Sequence, residues 1–281
     1  FPQDAGEASD IRIAHCPERV LPGRVMQELI TNDRIIGGMT PACSERAAAL
    51  YKTFVTAECV VASGPRVAEM AKLTENSFRD VNIAFANELS LICDELDMDV
   101  WELISLANRH PRVKILQPGP GVGGHCIAVD PWFIVSSAPE QARLIRTARE
   151  VNDGKPHWVI KQVQAAMADY LMQNTERTAF NITIACFGVT FKADIDDLRE
   201  SPSLAIVEEL VRDKRCNVMV VEPNIKSLPE GLQGAALIPS IEDASQRCDI
   251  ALLLVGHREF KSALKPLLDG KHIIDAGGFL R

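Results

Sequence analysis

Apolar positions in the middle of this chain follow a helical period. From Pro65 onward, Val67, Met70, Ala71, Phe78, Val81, Phe85, Leu89, Ile92 and Leu96 recur at three- and four-residue steps, the spacing of one helix face. Pro65 suits a first helical turn, where its missing N–H has no partner to lose. The pattern predicts a single helix of about thirty residues, far above the usual mean of ~11–12. A helix that long bridges domains or packs against a copy of itself. A second helix is predicted over Val100–Asn108, and helical patterning resumes over Pro139–His157 and again around Trp158–Gln173.

The two flanks read differently. Ile11–Ala14 and Arg34–Gly38 look like strands, Ser44–Thr53 like a helix, and Phe54–Ala62 like a strand rich in Val, Thr and Cys. The last third alternates: strand Asn181–Val189, helix Ser201–Asp213, strand Asn217–Glu222, helix Ser240–Gln246, strand Asp249–Val255, helix Glu259–Leu268, strand His272–Asp275. Such alternation predicts a parallel, doubly wound sheet, with ligands at the carboxyl ends of its strands. Gly188–Lys192 and Glu222–Asn224 fall at that edge. The expected fold is α/β. A C-terminal doubly wound, Rossmann-like domain (156–281) is joined by a long central helix (in 65–155) to the remnant of an N-terminal Rossmann domain (1–64).

Composition narrows the function classes. A net charge of −8 over 281 residues argues against nucleic acid or an anionic membrane as partner. No apolar run approaches the ~20 residues of a membrane helix. The eight cysteines are scattered with no C-x-x-C, which argues against a metal site or a disulfide framework and for reduced thiols in the cytoplasm. The chain opens at Phe1 rather than Met, which reads as the middle of a longer protein.

Four segments carry candidate chemistry. Gly119-Pro-Gly-Val-Gly-Gly-His125-Cys126, closed by Asp130-Pro131, sets a cysteine on a glycine-rich loop. Backbone N–H groups around such a loop favour a thiolate, and Asp130 is placed to orient a water or take its proton. The alternative is a flexible connector with an inert thiol. Lys72 and Asn76, four apart on the long helix, share a face and offer donors to an oxyanion; the alternative is a solvated stripe. Cys16-Pro17-Glu18-Arg19 follows a strand end, either a functional position or a surface ion pair. In Phe191-Lys192-Ala-Asp194 through Leu198-Arg199-Glu200-Ser201-Pro202, Lys192 and Arg199 flank a helix start that attracts phosphate, while Ser201 and Pro202 cap it. No G-x-G-x-x-G follows a strand near the start of the chain.

In this order the four segments resemble the UDP-glucose/GDP-mannose dehydrogenase family, over essentially the whole chain. The details CPERVLPG, with Pro22 in place of an acid, and GVGGHCIAVDP, with Val129 in place of a lysine, are similar to the branch acting on UDP-N-acetylhexosamines. The resemblance implies a four-electron, NAD-dependent oxidation of C6 to a uronic acid for bacterial surface polysaccharide, with the mannosamine sugar favoured over glucosamine. In that chemistry Cys126 captures the aldehyde as a thiohemiacetal that becomes a thioester. Lys72 and Asn76 stabilise the oxyanion, while Asp130 and Glu18 handle proton and water. Arg19, Gly123, His125, Phe191 and Lys192 bind the sugar nucleotide, Arg112 corresponds to the family arginine that reaches a neighbouring subunit's substrate, and Arg199 serves the cofactor. A homodimer through the central helix is implied, and no metal. The glycine fingerprint and a catalytic threonine of the family's first domain are absent, so this chain alone is expected to bind NAD poorly and to be inactive. Competing readings are a non-catalytic UDP-sugar-binding or dimerisation module, and a cysteine hydrolase using Cys126 with His125.

Overall fold

A computed structural model describes residues 9–20 and 24–280, apart from the Ser262 side chain; Pro22 lies outside the described residues. The chain divides into two compact units, Phe1–Phe78 and Arg79–Arg281.

The first unit has a three-stranded sheet in the order β1-β2-β3, with β1 Ala14–His15, β2 Arg34–Gly38 and β3 Cys59–Val61. β1 runs antiparallel to β2, and β2 parallel to β3. Helix α1 (Val25–Thr31), which the hydrophobic pattern did not announce, precedes β2. α2 (Pro41–Tyr51) starts where Thr40 caps the Cys43 N–H and Pro41 fills the first turn. The expected strand over Phe54–Ala62 shrinks to Cys59–Val61. Phe54 and Val55 instead close the end of α2, both donating to the Tyr51 carbonyl.

α3 (Pro65–Glu95) is the predicted long helix, at 31 residues, and the division between units falls within it. Its second half belongs to the larger unit, where α4 (Val100–Ala107), α5 (Asp130–Ser137) and α6 (Arg143–Gln173) follow. α6 is continuous through Pro156, where two helices were expected. Proline removes one helix hydrogen bond, yet Arg149, Asn152, Lys155, Val159, Ile160 and Val163 are all buried along one face, and that burial holds the helix together across the gap.

The face α3 buries is not the one its apolar period marks. Ser77, Asp80, Ala84, Asn87, Ser90 and Cys93 are buried, while Phe78, Phe85 and Ile92, at seven-residue steps, are 71%, 50% and 45% exposed.

The rest of the larger unit is a parallel sheet ordered β6-β5-β4-β7-β8, from β4 Thr183–Phe187, β5 Asn217–Val221, β6 Ala236–Leu237, β7 Ile250–Leu253 and β8 His272–Asp275. The helices are α7 (Pro202–Asp213), α8 (Ile241–Arg247) and α9 (Arg258–Leu267). Alternation along β4 covers both faces. Ile184 and Cys186 pack with Val159, Val163, Ile206 and Leu210 of α6 and α7, and Ala185 and Phe187 with Ala244, Phe260 and Leu264 of α8 and α9. This is the expected doubly wound, Rossmann-like domain.

Candidate functional site

The glycine-rich loop in the larger unit is held at its base by buried polar side chains. Asn87 Oδ1 accepts from the Gly119 N–H at 2.9 Å, and Asn87 Nδ2 donates to Asn152 Oδ1 at 2.8 Å. Asn152 in turn donates to Asp80 Oδ1 at 2.8 Å, and Arg149 pairs with the same oxygen at 2.7 Å. Burial pushes the Asp80 carboxyl up, and Arg149 and Asn152 pull it back. This ladder between α3 and α6 fixes where the loop begins. Apolar periodicity gave no sign of it, although Ser77, Asp80, Ala84 and Asn87 do recur at helical steps.

Further along, the loop presses against the Phe191–Pro202 segment. A Cβ on Gly123 would lie 2.5 Å from the Glu200 carbonyl oxygen, 2.7 Å from Pro202 Cδ and 2.9 Å from Phe191 Cβ. Gly124 has φ +85°, in the left-handed region, and a Cβ there would sit 3.0 Å from the Phe191 ring. These glycines are required by packing, so the loop is a docked structure rather than a slack connector. Two of the predicted segments meet here.

Cys126 is exposed at the end of the loop. Its carbonyl accepts from the Val129 and Asp130 N–H groups at 3.0 and 2.8 Å, closing a turn that leads into α5 with Asp130 in its first turn. Cys126 Sγ lies 3.8 Å from His125 Nδ1, so these neighbouring side chains do not point apart. Arg199 forks onto Asp197 with contacts of 2.6 to 3.1 Å. That pairing holds the Asp197 carboxyl below its usual range, with a smaller contribution from His125, and Cys126 adds slightly to the field that favours the Arg199 cation. Arg199 and His125 therefore belong to the surroundings of the thiol. Lys192 is exposed on the same segment as Phe191. Arg112 is exposed on the loop after α4, its N–H donating to His110 Nδ1 at 3.3 Å, and no contact among the described residues brings it to Cys126.

A cavity of about 580 Å³ opens beside the loop, among Val122, Val129, Trp132, Asn152, Leu198 and Pro202. Its charged lining is Asp153, Glu200 and Glu208 against Arg149, which is already paired with Asp80 and Asp153. That balance is a poor match for a diphosphate.

Glu222, expected at the ligand edge of the sheet, is only 4% exposed. It faces inward: Oε2 accepts from the Val189 N–H and Oε1 from the Asn224 N–H. Burial alone would raise its carboxyl, but hydrogen bonds from His257, Val189 and Asn224 leave it below the usual range.

In the smaller unit, the Cys-Pro-Glu-Arg segment follows β1 and packs beside α3. Glu18 accepts from buried Arg34 at 2.9 Å through both oxygens, and Oε1 accepts from the Arg19 N–H at 2.7 Å. Arg19 pairs with Glu75 at 2.7 Å, one residue before Asn76 and three after Lys72, both half-buried on α3. Glu18 and Arg19 are thus each held in an ion pair, with Arg34 and Glu75, and the second pair brings Arg19 to the Lys72–Asn76 stretch of the helix.

Three family matches account for most of the chain. The UDP-glucose/GDP-mannose dehydrogenase family's NAD binding domain matches residues 2–55, its central domain 66–154 and its UDP binding domain 185–281. A UDP-N-acetyl-D-mannosamine dehydrogenase of Salmonella typhi is 61% identical over all of this chain and 66% of its own length. An NDP-N-acetyl-D-galactosaminuronic acid dehydrogenase of Ralstonia nicotianae is 61% identical over 99% of this chain and 63% of its own. Among solved structures, a UDP-D-ManNAc dehydrogenase from Pyrococcus horikoshii superposes with a TM-score of 0.83 at 36% identity, covering 98% of this chain and 63% of that one. The chain thus spans about two thirds of the length of the proteins it matches.

Proposed function

Because the chain belongs to the UDP-glucose/GDP-mannose dehydrogenase family, we propose that the protein oxidises C6 of a UDP-N-acetylhexosamine to the uronic acid, with UDP-N-acetyl-D-mannosamine favoured and NAD as hydride acceptor. The observation that carries this reading is the docked loop: packing requires Gly123 and Gly124, and Cys126 is left exposed at its end beside His125. A connector with an inert thiol has no need of that constraint.

The residues present do not by themselves build a dinucleotide site. Such a site needs a glycine fingerprint at a strand-to-helix turn, with the pyrophosphate on the helix N-terminus. The sequence has no G-x-G-x-x-G after a strand near its start, and the β2–α2 turn uses its glycine for internal packing, since a Cβ on Gly38 would overlap the Ser44 nitrogen.

This chain contributes the covalent chemistry. The Cys126 thiolate adds to the aldehyde carbon, a C–S bond forms, and the carbonyl electron pair moves to oxygen. At the thioester stage water attacks the acyl carbon, Asp130 or Glu18 takes its proton, and sulfur leaves as thiolate. Lys72 and Asn76 donate to the oxyanion. The roles of these five residues rest on the family resemblance, as do sugar-nucleotide binding by Arg19, Gly123, His125, Phe191 and Lys192, cofactor contact by Arg199 and cross-subunit reach by Arg112.

The domain division is read as 1–64, 65–155 and 156–281. The exposed row Phe78, Phe85 and Ile92 supports a homodimer through α3, because an exposed apolar row at seven-residue steps suits a partner helix. Eight free cysteines support a cytoplasmic location, and no helix among the described residues is long and apolar enough to cross a membrane.

Assay of the protein as encoded in full, with NAD and UDP-sugars, tests the function. Two NADH per uronic acid are expected with UDP-N-acetylmannosamine. Activity confined to UDP-glucose would overturn the branch, and preference for the galactosamine sugar would follow the Ralstonia relative instead.

A further inference from the structure

The C-terminal edge of the five-stranded sheet holds a buried pair that the chemistry above does not use. Glu222 closes β5, and His257, fully buried, precedes α9. An acid at the end of the second strand of a doubly wound sheet ordinarily faces a ribose. Here it has no oxygen to spare. Oε2 accepts from Val189 N–H at 2.9 Å, Thr190 N–H at 3.3 Å and His257 Nε2 at 3.0 Å, and Oε1 accepts from Asn224 N–H at 3.0 Å.

The histidine's state follows from its other nitrogen. Nδ1 accepts from the Asp194 N–H at 2.9 Å, and a backbone N–H can only donate. Nδ1 is therefore bare, and the ring hydrogen sits on Nε2, aimed at Glu222. The Asn224 amide, 3.0 Å from Nδ1, donates to the same lone-pair side. Asp194 itself has φ +62° and is tied down from its far side, its carboxylate accepting from the Arg258 N–H at 3.0 Å.

Both ends of the Val189–Asp194 turn are thus fixed to one carboxylate–imidazole pair: Val189 and Thr190 to Glu222, Asp194 to His257. The turn's middle is closed by Thr190 Oγ1 donating to the Lys192 carbonyl at 2.9 Å. Between the fixed ends stand Phe191, against which Gly123 and Gly124 pack, and Lys192. We propose that Glu222 and His257 are positioning residues, a carboxylate and a neutral Nε2–H imidazole that hold this turn so that Phe191 backs the Cys126 loop and Lys192 faces the diphosphate of the nucleotide sugar. The Lys192 part rests on the function proposed above; the turn and its support do not.

Two measurements on the intact chain separate these layers. Nitrogen-15 NMR of His257 should show the Nε2–H tautomer at neutral pH, and the Val189, Thr190 and Asp194 amides should exchange slowly. His257→Leu should speed exchange in the turn about tenfold or more while β7 amides are unchanged, and His257→Gln, which restores a donor and an acceptor, should recover part of the protection. Calorimetry with UDP should show about tenfold weaker binding for Glu222→Gln and for Lys192→Ala, with the double variant little worse than either, because one residue acts through the other. An Nδ1–H tautomer or imidazolium, unchanged turn exchange in His257→Leu, or additive losses in the double variant overturns the proposal. If His257→Leu does not fold, the tautomer and the Glu222→Gln data still decide. If UDP does not bind the parent chain at about 1 mM, the nucleotide-sugar reading falls, and the positioning claim stands or falls on tautomer and exchange alone.

Discussion

Lys155 gives a quantitative test of how the two long helices pack. Its side chain, in a residue only 2% exposed, donates to Ser90 Oγ at 2.8 Å and lies 3.7 Å from the centre of the Trp158 ring, and it forms no ion pair among the described residues. Burial pushes its pKa from 10.5 down to about 7, with Asp94 pulling weakly the other way. An unfolded chain keeps this proton to a pH near 10.5, whereas the folded chain releases it near 7. Between those values the unfolded state binds more protons, so the contribution of Lys155 to stability rises with pH across the window and is least favourable below it. The full displacement corresponds to roughly 5 kcal/mol at about 1.4 kcal/mol per unit. Lys155→Met keeps the buried stem and removes the charge. It also removes the Ser90 hydrogen bond and the contact with the indole, an offset of about 1–2 kcal/mol that varies little with pH. Urea unfolding of both proteins from about pH 7 to about pH 10 should show the difference moving toward the parent by several kcal/mol. Cysteine and tyrosine titrations are common to both and cancel in the difference. A difference flat to within about 1 kcal/mol over that range would refute the reasoning.

The remaining predictions concern the loop and its supports. Gly123→Ala should destabilise by about 1–3 kcal/mol in thermal unfolding and change the alkylation rate of Cys126, because its new methyl meets Glu200, Pro202 and Phe191 at once; an unchanged Tm would show the loop to be slack. Gly154→Ala, in helix α6 with open space around it, should stabilise by about 0.5–1 kcal/mol, the opposite sign from another glycine in the same unit. Asn152→Leu removes partners from both Asn87 and Asp80 and should cost about 3 kcal/mol or more, with faster hydrogen exchange at Gly119. Cys126→Ser in the protein as encoded in full should abolish uronic acid formation, and full retained turnover would exclude the thioester route.

The sequence made the C-terminal sheet legible because its central strands β4, β5 and β7 are short apolar runs bounded by turn residues and covered on both faces. β6, two residues long, and α5, starting within the cysteine segment, had too little pattern to read. The division of α6 at His157 followed a sound local rule about proline, and burial of the residues around Pro156 overrode it. The site was legible as motifs but not as geometry. Nothing in the spacing of Gly123 and Phe191 says that they touch, and nothing about Glu222 at a strand end says that its oxygens point inward.

α3 shows why apolar periodicity alone misled on burial. It carries two stripes: Phe78, Phe85 and Ile92 on one side, and Asp80, Asn87 and Ser90 on the other. Reading apolar as inside would turn the Phe78–Phe85–Ile92 stripe to the chain's own core. The structure turns the polar one inward because its members have directional partners within the larger unit: Asp80 meets Arg149 and Asn152, Asn87 meets Asn152 and Gly119, and Ser90 meets Lys155. Buried polar groups are costly without such partners, so the same bonds that allow α3 to bury this stripe also fix where the cysteine loop begins. Replacing the stripe by leucines would then preserve a helix while freeing Gly119, and a loss of ordered Cys126 reactivity without loss of helicity is the outcome this reasoning requires.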